Sequence, residues 1–435
     1  MSITAPPPTT TDGPSRRQVL GLLGAGGVVA AASGYGALRS IGSDAAGGVA
    51  TPAALAARGP APDRAPLPAG AVEGRMLVVI ELNGGNDGLA TVVPESGRLR
   101  DLRRGLLPDD VALTDFVPGT QLHPGLSPVR ERGIAVLQGV GTADPDGSHF
   151  EMERRWWAGD GTGAGRRTTG FLGRLCDVLA PAASVAGVSL GAGATPALIA
   201  DHATTIGLPD PGAAWFLTDD DDPWYANLRH GLRSLGSPTN GELPRVQRAR
   251  RGLGDALSFA DVVRSIDDET DRGFPETNLG RQLRLAGGLL DSDIGLRVVH
   301  VPFGGFDTHG DQLGEHGRLM DELGGAVAAL LDDLATRDLG DRVLIATTSE
   351  FGRRPEQNGS GTDHGTAGPA LLCGPVVPGL HGDAPSLDRL DDDGNLLATT
   401  MLEDYYATLA ESWFGVPARD VLPTAATPAP EIIAV

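Results

Sequence analysis

The chain has 435 residues and a formal net charge of −21, with 56 acidic against 35 basic side chains. That balance argues against nucleic acid or an anionic lipid surface as a partner, because both would repel it. Only two cysteines, Cys176 and Cys373, are present, which excludes a disulfide-rich scaffold and leaves either one bridge or two buried thiols.

In chain order, a polar Pro/Thr-rich start gives way to Ser15-Arg16-Arg17-Gln18-Val19-Leu20, which opens an uncharged stretch running to about Leu38. The order of charged, apolar and small-residue regions is that of a signal peptide, here over residues 1–42. Gly21, Gly24, Gly26 and Gly27 dilute the apolar part, so it is weaker than the ~20 strongly apolar residues of a spanning helix. Paired arginines before a weak apolar core point to the twin-arginine translocase as export partner. The expected location is extracellular or in the cell envelope, with the peptide either cleaved or kept as an anchor. Residues 43–74 have the Ala/Gly/Pro-rich composition of a disordered tether. The folded domain is expected over 75–435.

Arg75 to Leu82 is a continuous apolar run broken by Asn83-Gly84-Gly85-Asn86-Asp87-Gly88, the pattern of a strand buried on both faces. The pattern recurs at Ile134 to Gln138, Leu296 to Val301 and Arg342 to Thr348. Between the last two, Leu319, Leu323, Val327, Leu330, Leu331 and Leu334 repeat at helical spacing. The expected fold class is α/β, a mostly parallel central sheet sandwiched between helices. An irregular insertion is expected at about 191–285, with an acidic run Asp219 to Asp222 that reads as a solvated loop or, less simply, a calcium loop. Substrate specificity is expected around Trp215 to Tyr225.

Ligands of such sheets gather beyond the carboxyl ends of the strands. The first strand ends in Glu81, Asn83, Asn86 and Asp87, oxygen donors on a glycine-rich loop that is either a cation site or a plain turn. After the second strand, Ser148 precedes a helix, where it either caps it or sits as a nucleophile at the positive end of the dipole. After the third, Asp307 and His309 are two residues apart on an extended segment, so both side chains can reach one ion. His316, further on, is read as a surface or packing histidine. After the fourth come Glu350 and the pair Arg353 and Arg354, which can hold a phosphate or sulfate or only balance nearby acids. Asp363 and His364 then form a second Asp/His pair.

The segments Glu81-Leu-Asn-Gly-Gly-Asn-Asp-Gly88, Ser148-His-Phe150, Gly305-Phe-Asp-Thr-His309, Ser349-Glu-Phe-Gly-Arg-Arg354 and Gly361-Thr-Asp-His-Gly365 resemble the exported bacterial family named for a domain of unknown function, DUF1501. That family is placed near the alkaline phosphatase and sulfatase superfamily. The resemblance implies an alkaline phosphatase-like fold with its centre at the strand ends. It gives Glu81 or Asn83 a first metal-ligand role, Ser148 the nucleophile role, and Asp307, His309, Glu350, Asp363 and His364 the remaining metal roles. Where the superfamily commonly has Asp-His-Gly, this chain has Glu350-Phe351-Gly352, so one imidazole is lost. The first loop also has Asn where Asp is usual. The cofactor implied is a divalent ion, zinc or calcium-like, in one or two sites.

Two functions follow as expectations. One is a metal-dependent hydrolase of small-molecule or polysaccharide phosphate or sulfate esters, with Ser148 attacking and Arg353 or Arg354 stabilising the developing charge. The other is a catalytically degenerate envelope protein that binds a ligand without chemistry.

Overall fold

The computed structural model describes residues 29–30, 71–108, 112–165, 167–180, 183–210, 223–266 and 272–434. Nearly all of the expected signal peptide, the tether up to residue 70, and Trp215, Phe216 and the acidic run Asp219 to Asp222 lie outside the described residues. Within the expected insertion, the described residues form the strand Thr205–Leu208, the helices Pro223–Gly236 and Pro244–Ser265, and the start of the helix Asn278–Leu290.

The strands are β1 (Val29–Ala30), β2 (Met76–Asn83), β3 (Val92–Pro94), β4 (Thr114–Val117), β5 (Thr120–Leu122), β6 (Ile134–Gly141), β7 (Gly187–Leu190), β8 (Thr205–Leu208), β9 (Val298–Gly304), β10 (Val343–Thr348), β11 (Arg353–Asn358), β12 (Gly361–His364), β13 (Gly368–Cys373), β14 (Gly379–His381) and β15 (Thr400–Met401). The main helices are α1 (His149–Ala158), α2 (Phe171–Leu179), α3 (Pro223–Gly236), α4 (Pro244–Ser265), α5 (Asn278–Leu290), α6 (Gln312–Thr336) and α7 (Leu402–Ala407).

The large sheet runs in the order β1-β8-β7-β9-β2-β10-β13-β6-β14, with β15 also on β6. The ladders from β8 through β7, β9 and β2 to β10 are all parallel. Only β13 and the short edge strand β1 run against the rest. The expected mostly parallel sheet between helices is therefore what the chain forms.

Strand β2 shows why. Its residues from Met76 to Leu82 are all buried, and alternate side chains point to opposite faces. Met76, Val78, Ile80 and Leu82 pack with Leu279 and Leu283 of α5 and Leu319, Met320 and Leu323 of α6. Leu77 and Val79 pack on the other side with Trp156 of α1, Phe171 and Leu175 of α2, and Tyr405 and Trp413. Each fully buried apolar side chain of this kind contributes about 1.5–3 kcal/mol, so a central strand with six such positions must sit between two helical layers.

The carboxyl ends of the parallel strands converge on one edge. Register pairs Thr348 of β10 with Glu81 of β2, and Asn83 of β2 with Gly304 of β9. The loops leaving these ends are pressed together: a Cβ on Gly84 (φ +116) would stand 2.3 Å from the Asp307 amide nitrogen, so only glycine permits this approach. Cys176 and Cys373 are both free and buried, which closes the question of a bridge between them, and burial pushes the Cys373 thiol up to about 12.

Candidate metal centre

Three loops and one helix start build the site. The β9–α6 loop carries Asp307 and His309, the β11–β12 hairpin carries Asp363 and His364, the loop after β10 carries Glu350, and the first residue of α1 is His149. Hairpin register sets Arg353 opposite His364, which fixes the imidazole over the loop that Arg353 grips.

Donor atoms of His149, Asp307 and His364 all lie within 4.8 Å of one another. His364 Nε2 is 3.1 Å from Asp307 Oδ1, and His149 Nε2 is 3.5 Å from Asp307 Oδ2. His309 Nε2 completes the group, 3.0 Å from Asp307 Oδ1 and 3.0 Å from His364 Nε2. Asp307 and His309 are half exposed, at 49% and 47%, and His149 and His364 less so, at 29% and 23%. The centre is thus open on one side.

The outer nitrogens decide what the inner ones present. His364 Nδ1 faces the Gly147 carbonyl at 2.8 Å; a carbonyl only accepts, so Nδ1 carries the proton and Nε2 offers a lone pair. His149 Nδ1 faces Glu350 Oε1 at 2.8 Å, which leaves its Nε2, buried and without a hydrogen bond, as a lone pair aimed at a carboxylate. His309 Nδ1 is 3.6 Å from Asp363 Oδ1, too far for a hydrogen bond. Two imidazoles, those of His149 and His364, are held by acceptors on their outer side and turn their lone pairs on a carboxylate that also accepts. That is the chemistry of a cation site with its tautomers fixed by an outer ring of acceptors, and nitrogen with one carboxylate suits zinc better than the oxygen-rich shell calcium needs.

Electrostatics keep Asp307 ionised. Burial alone would raise its carboxyl, but the hydrogen bond and the charge of Arg353 outweigh this and bring it down to about 2. Arg353 Nη2 donates to Asp307 Oδ1 at 2.6 Å.

Several residues expected in the metal shell or on the substrate take other places. Glu81 is engaged through both oxygens, accepting from Trp157 Nε1 at 2.7 Å and bonded to His300 Nε2 at 2.7 Å, so its carboxylate is tied into the core. Glu350 lies one layer out, gripping His149 and the Gly84 amide. Asn83 keeps its Oδ1 buried without a hydrogen-bond partner among the described residues. Asp363 accepts from Asn358 Nδ2 at 3.2 Å and backs His309. Arg353 was expected on the substrate's charge, but its side chain is 0% exposed. Its guanidinium donates to the carbonyls of Gly84, Gly85, Phe306 and Thr362 as well as to Asp307, because a planar five-donor fork is what can hold three loops at once. Arg354, half-buried, donates to the His364 carbonyl at 3.2 Å.

Ser148 is exposed and is the N-cap residue of α1, yet its side chain makes no cap hydrogen bond. Its neighbours on either side, Gly147 and His149, are both bound into the centre. His149 itself went unread as a ligand, although the Ser148-His-Phe150 motif contains it. The Phe351 ring lies 4.9 Å from His149 and 4.7 Å from His364, between centroids. His316 is a buried packing histidine, bonded to Asn86 Oδ1 at 3.1 Å.

Beside the centre, Asp87 is buried against Arg103 and Gln312. Arg103 also donates to the Arg354 and Pro355 carbonyls, and Gln312 accepts from Thr362 Oγ1 at 2.6 Å. The Asn-Asp loop, read from sequence as either a cation site or a plain turn, braces the hairpin that presents His364.

A comparison with curated proteins gives no match. Among solved structures, the chain is similar to a PsFucS1 sulfatase from Pseudoalteromonas sp., with 12% identity over 83% of this chain and 72% of that one and a TM-score of 0.38. It is similar to the phosphonate monoester hydrolase of Agrobacterium radiobacter, with 10% identity over 78% and 73% and a TM-score of 0.34. It is also similar to a TAB5 alkaline phosphatase mutant, with 12% identity over 69% and 91% and a TM-score of 0.30. Residues 263–409 match the family model described as a protein of unknown function, DUF1501. Asp307, His309, Glu350, Asp363 and His364 all fall within that matched stretch.

Proposed function

We propose that the protein is an exported hydrolase of phosphate or sulfate esters that works with a divalent ion held by His149, Asp307, His309 and His364. The observation that carries this reading is the pair of inward lone pairs, on His149 and His364, around one ionised carboxylate, with His149 Nε2 lacking any hydrogen bond.

When bound, the ion supplies positive charge that polarises an ester oxygen. Ser148 Oγ, exposed at the positive end of the ten-residue helix α1, is the attacking group. Its hydroxyl proton passes to solvent as its oxygen bonds to phosphorus or sulfur, the bond to the alcohol oxygen breaks, and the alcohol departs with a proton from solvent. Water then releases the phosphate or sulfate from Ser148. Arg353 contributes by holding Asp307 and three loops in place rather than by touching substrate.

Arg16 and Arg17 support export by the twin-arginine translocase, which carries folded proteins; folding around an ion before export gives that route a purpose. Replacing both arginines with lysine should leave the protein inside the cell. The hydrolase reading is tested by screening purified protein with aryl phosphates and sulfates, with and without added zinc. Turnover that needs the ion and is lost in Ser148→Ala supports it; turnover unaffected by Ser148→Ala, or none with any ion, counts against it.

A further inference from the structure

Helix α1 divides its first turns between the centre and solvent. His149 points inward to Glu350 and Asp307, and Met152 and Trp156 are buried in the core. Phe150, the very next residue to His149, is 85% exposed, the most exposed large apolar side chain among the described residues. Successive helical residues are about 100° apart, so this ring leaves the helix about a quarter-turn round from His149, one residue from the ligand and two from Ser148. The segment leading to it, Ala143 to Ser148, is polar and exposed, and the ring has no aromatic neighbour among the described residues. A phenyl ring left in water forgoes about 1.5–3 kcal/mol of burial free energy.

We infer that Phe150 is a specificity-determining residue that stacks on a ring in the organic portion of the ester, a neutral ring with a flat apolar face. This rests on the hydrolase reading above. An ester whose phosphorus or sulfur faces Ser148 projects its organic part outward past residues 148–150. A phenyl face favours offset stacking with another flat apolar face, which aryl groups and the C–H face of a sugar both offer. Asp144 and Asp146, exposed just before it, oppose further negative charge on that portion.

The test compares wild type, Phe150→Ala and Phe150→Trp, all zinc-loaded, on phenyl phosphate, a hexose phosphate and ethyl phosphate. Phe150→Ala should raise KM about three- to tenfold for ring-bearing esters with kcat unchanged, the worth of one aromatic contact. Ethyl phosphate should be unaffected and Phe150→Trp should restore the wild-type KM. A rise confined to phenyl phosphate identifies an aryl ester, and one confined to the hexose phosphate a sugar ester. Equal KM values for wild type and Phe150→Ala on every ester overturn the inference, as they would if Phe150 seated a protein partner instead. If wild type turns over none of the esters, the hydrolase reading fails and calorimetric binding of phenyl phosphate against inorganic phosphate decides. Weakening by Phe150→Ala of phenyl phosphate alone sustains the ring contact, and equal effects overturn it.

Discussion

Glu350 Oε1 stands 2.8 Å from His149 Nδ1 and also accepts the Gly84 amide hydrogen at 2.7 Å, while its other oxygen, buried, has no partner. One carboxylate thus fixes a tautomer and ties the β10 end to the β2 loop. Glu350→Gln should keep the fold but loosen zinc about 10- to 100-fold, the usual cost of losing such a partner. Competition with a chromogenic chelator measures this, and an unchanged affinity would mean that Glu350 does not orient His149.

Arg353 should matter more for stability than for chemistry. Removing a buried charge that satisfies four carbonyls and Asp307 should cost about 3–5 kcal/mol, so Arg353→Met should unfold at much lower urea. Arg353→Lys should recover little, since a single ammonium cannot replace the fork. Arg354→Ala removes one hydrogen bond to the His364 carbonyl and should cost about 1 kcal/mol. Equal midpoints for the Arg353 and Arg354 variants would contradict this division.

Acid should weaken the brace beside the centre. Burial lowers His316 to about 4, with His123, Arg103 and Arg353 adding to it against the pull of Asp87. Burial likewise takes His123 to about 4, opposed by Asp321. Both are neutral when folded and take up protons on unfolding below the ordinary histidine value near 6.5. Stability from these groups is therefore present above about 6.5 and falls as pH drops toward 4. Urea midpoints of the metal-free protein across that range should decline on acidification, and less steeply in His123→Gln if that variant folds. A flat profile would show that neither histidine is buried neutral.

Glu153 should act in the opposite direction. Burial and the charges of Glu350 and Glu81 raise its carboxyl to about 7, partly offset by His149. The folded state then holds this proton more tightly than the unfolded state, so stability in the metal-free protein should fall as pH rises from about 4.5 to 7. Because the group is partly exposed, screening keeps the effect below about 1 kcal/mol. Glu153→Gln should flatten that part of the profile, and an unchanged slope would contradict the assignment.

The parallel core was legible because strands buried on both faces are unbroken apolar runs: 75–82 and 342–348 became β2 and β10 within a residue or two, and the Leu repeat became α6. Strands β7, β8 and β14 have three or four residues each, too few for a period to show. Asp307, His309 and His364 were legible as Asp/His pairs beyond strand ends. Glu81 and Asp87 misled, because a carboxylate at a strand end looks the same in sequence whether it meets an ion or, as here, His300 and Arg103. His149 was hidden beside Ser148, and no spacing rule says that the first residue of a helix turns its ring inward. Arg353's burial depends on three loops distant in sequence, which no local pattern encodes.

The central claim is that His149, Asp307, His309 and His364 hold one ion, and metal analysis of purified protein after zinc loading and removal of excess tests it most directly. The account predicts about one zinc per chain in the wild type and substoichiometric zinc in both His364→Ala and His149→Ala, with far-ultraviolet circular dichroism unchanged. Wild type without bound metal, or His364→Ala and His149→Ala retaining a full equivalent, would contradict it.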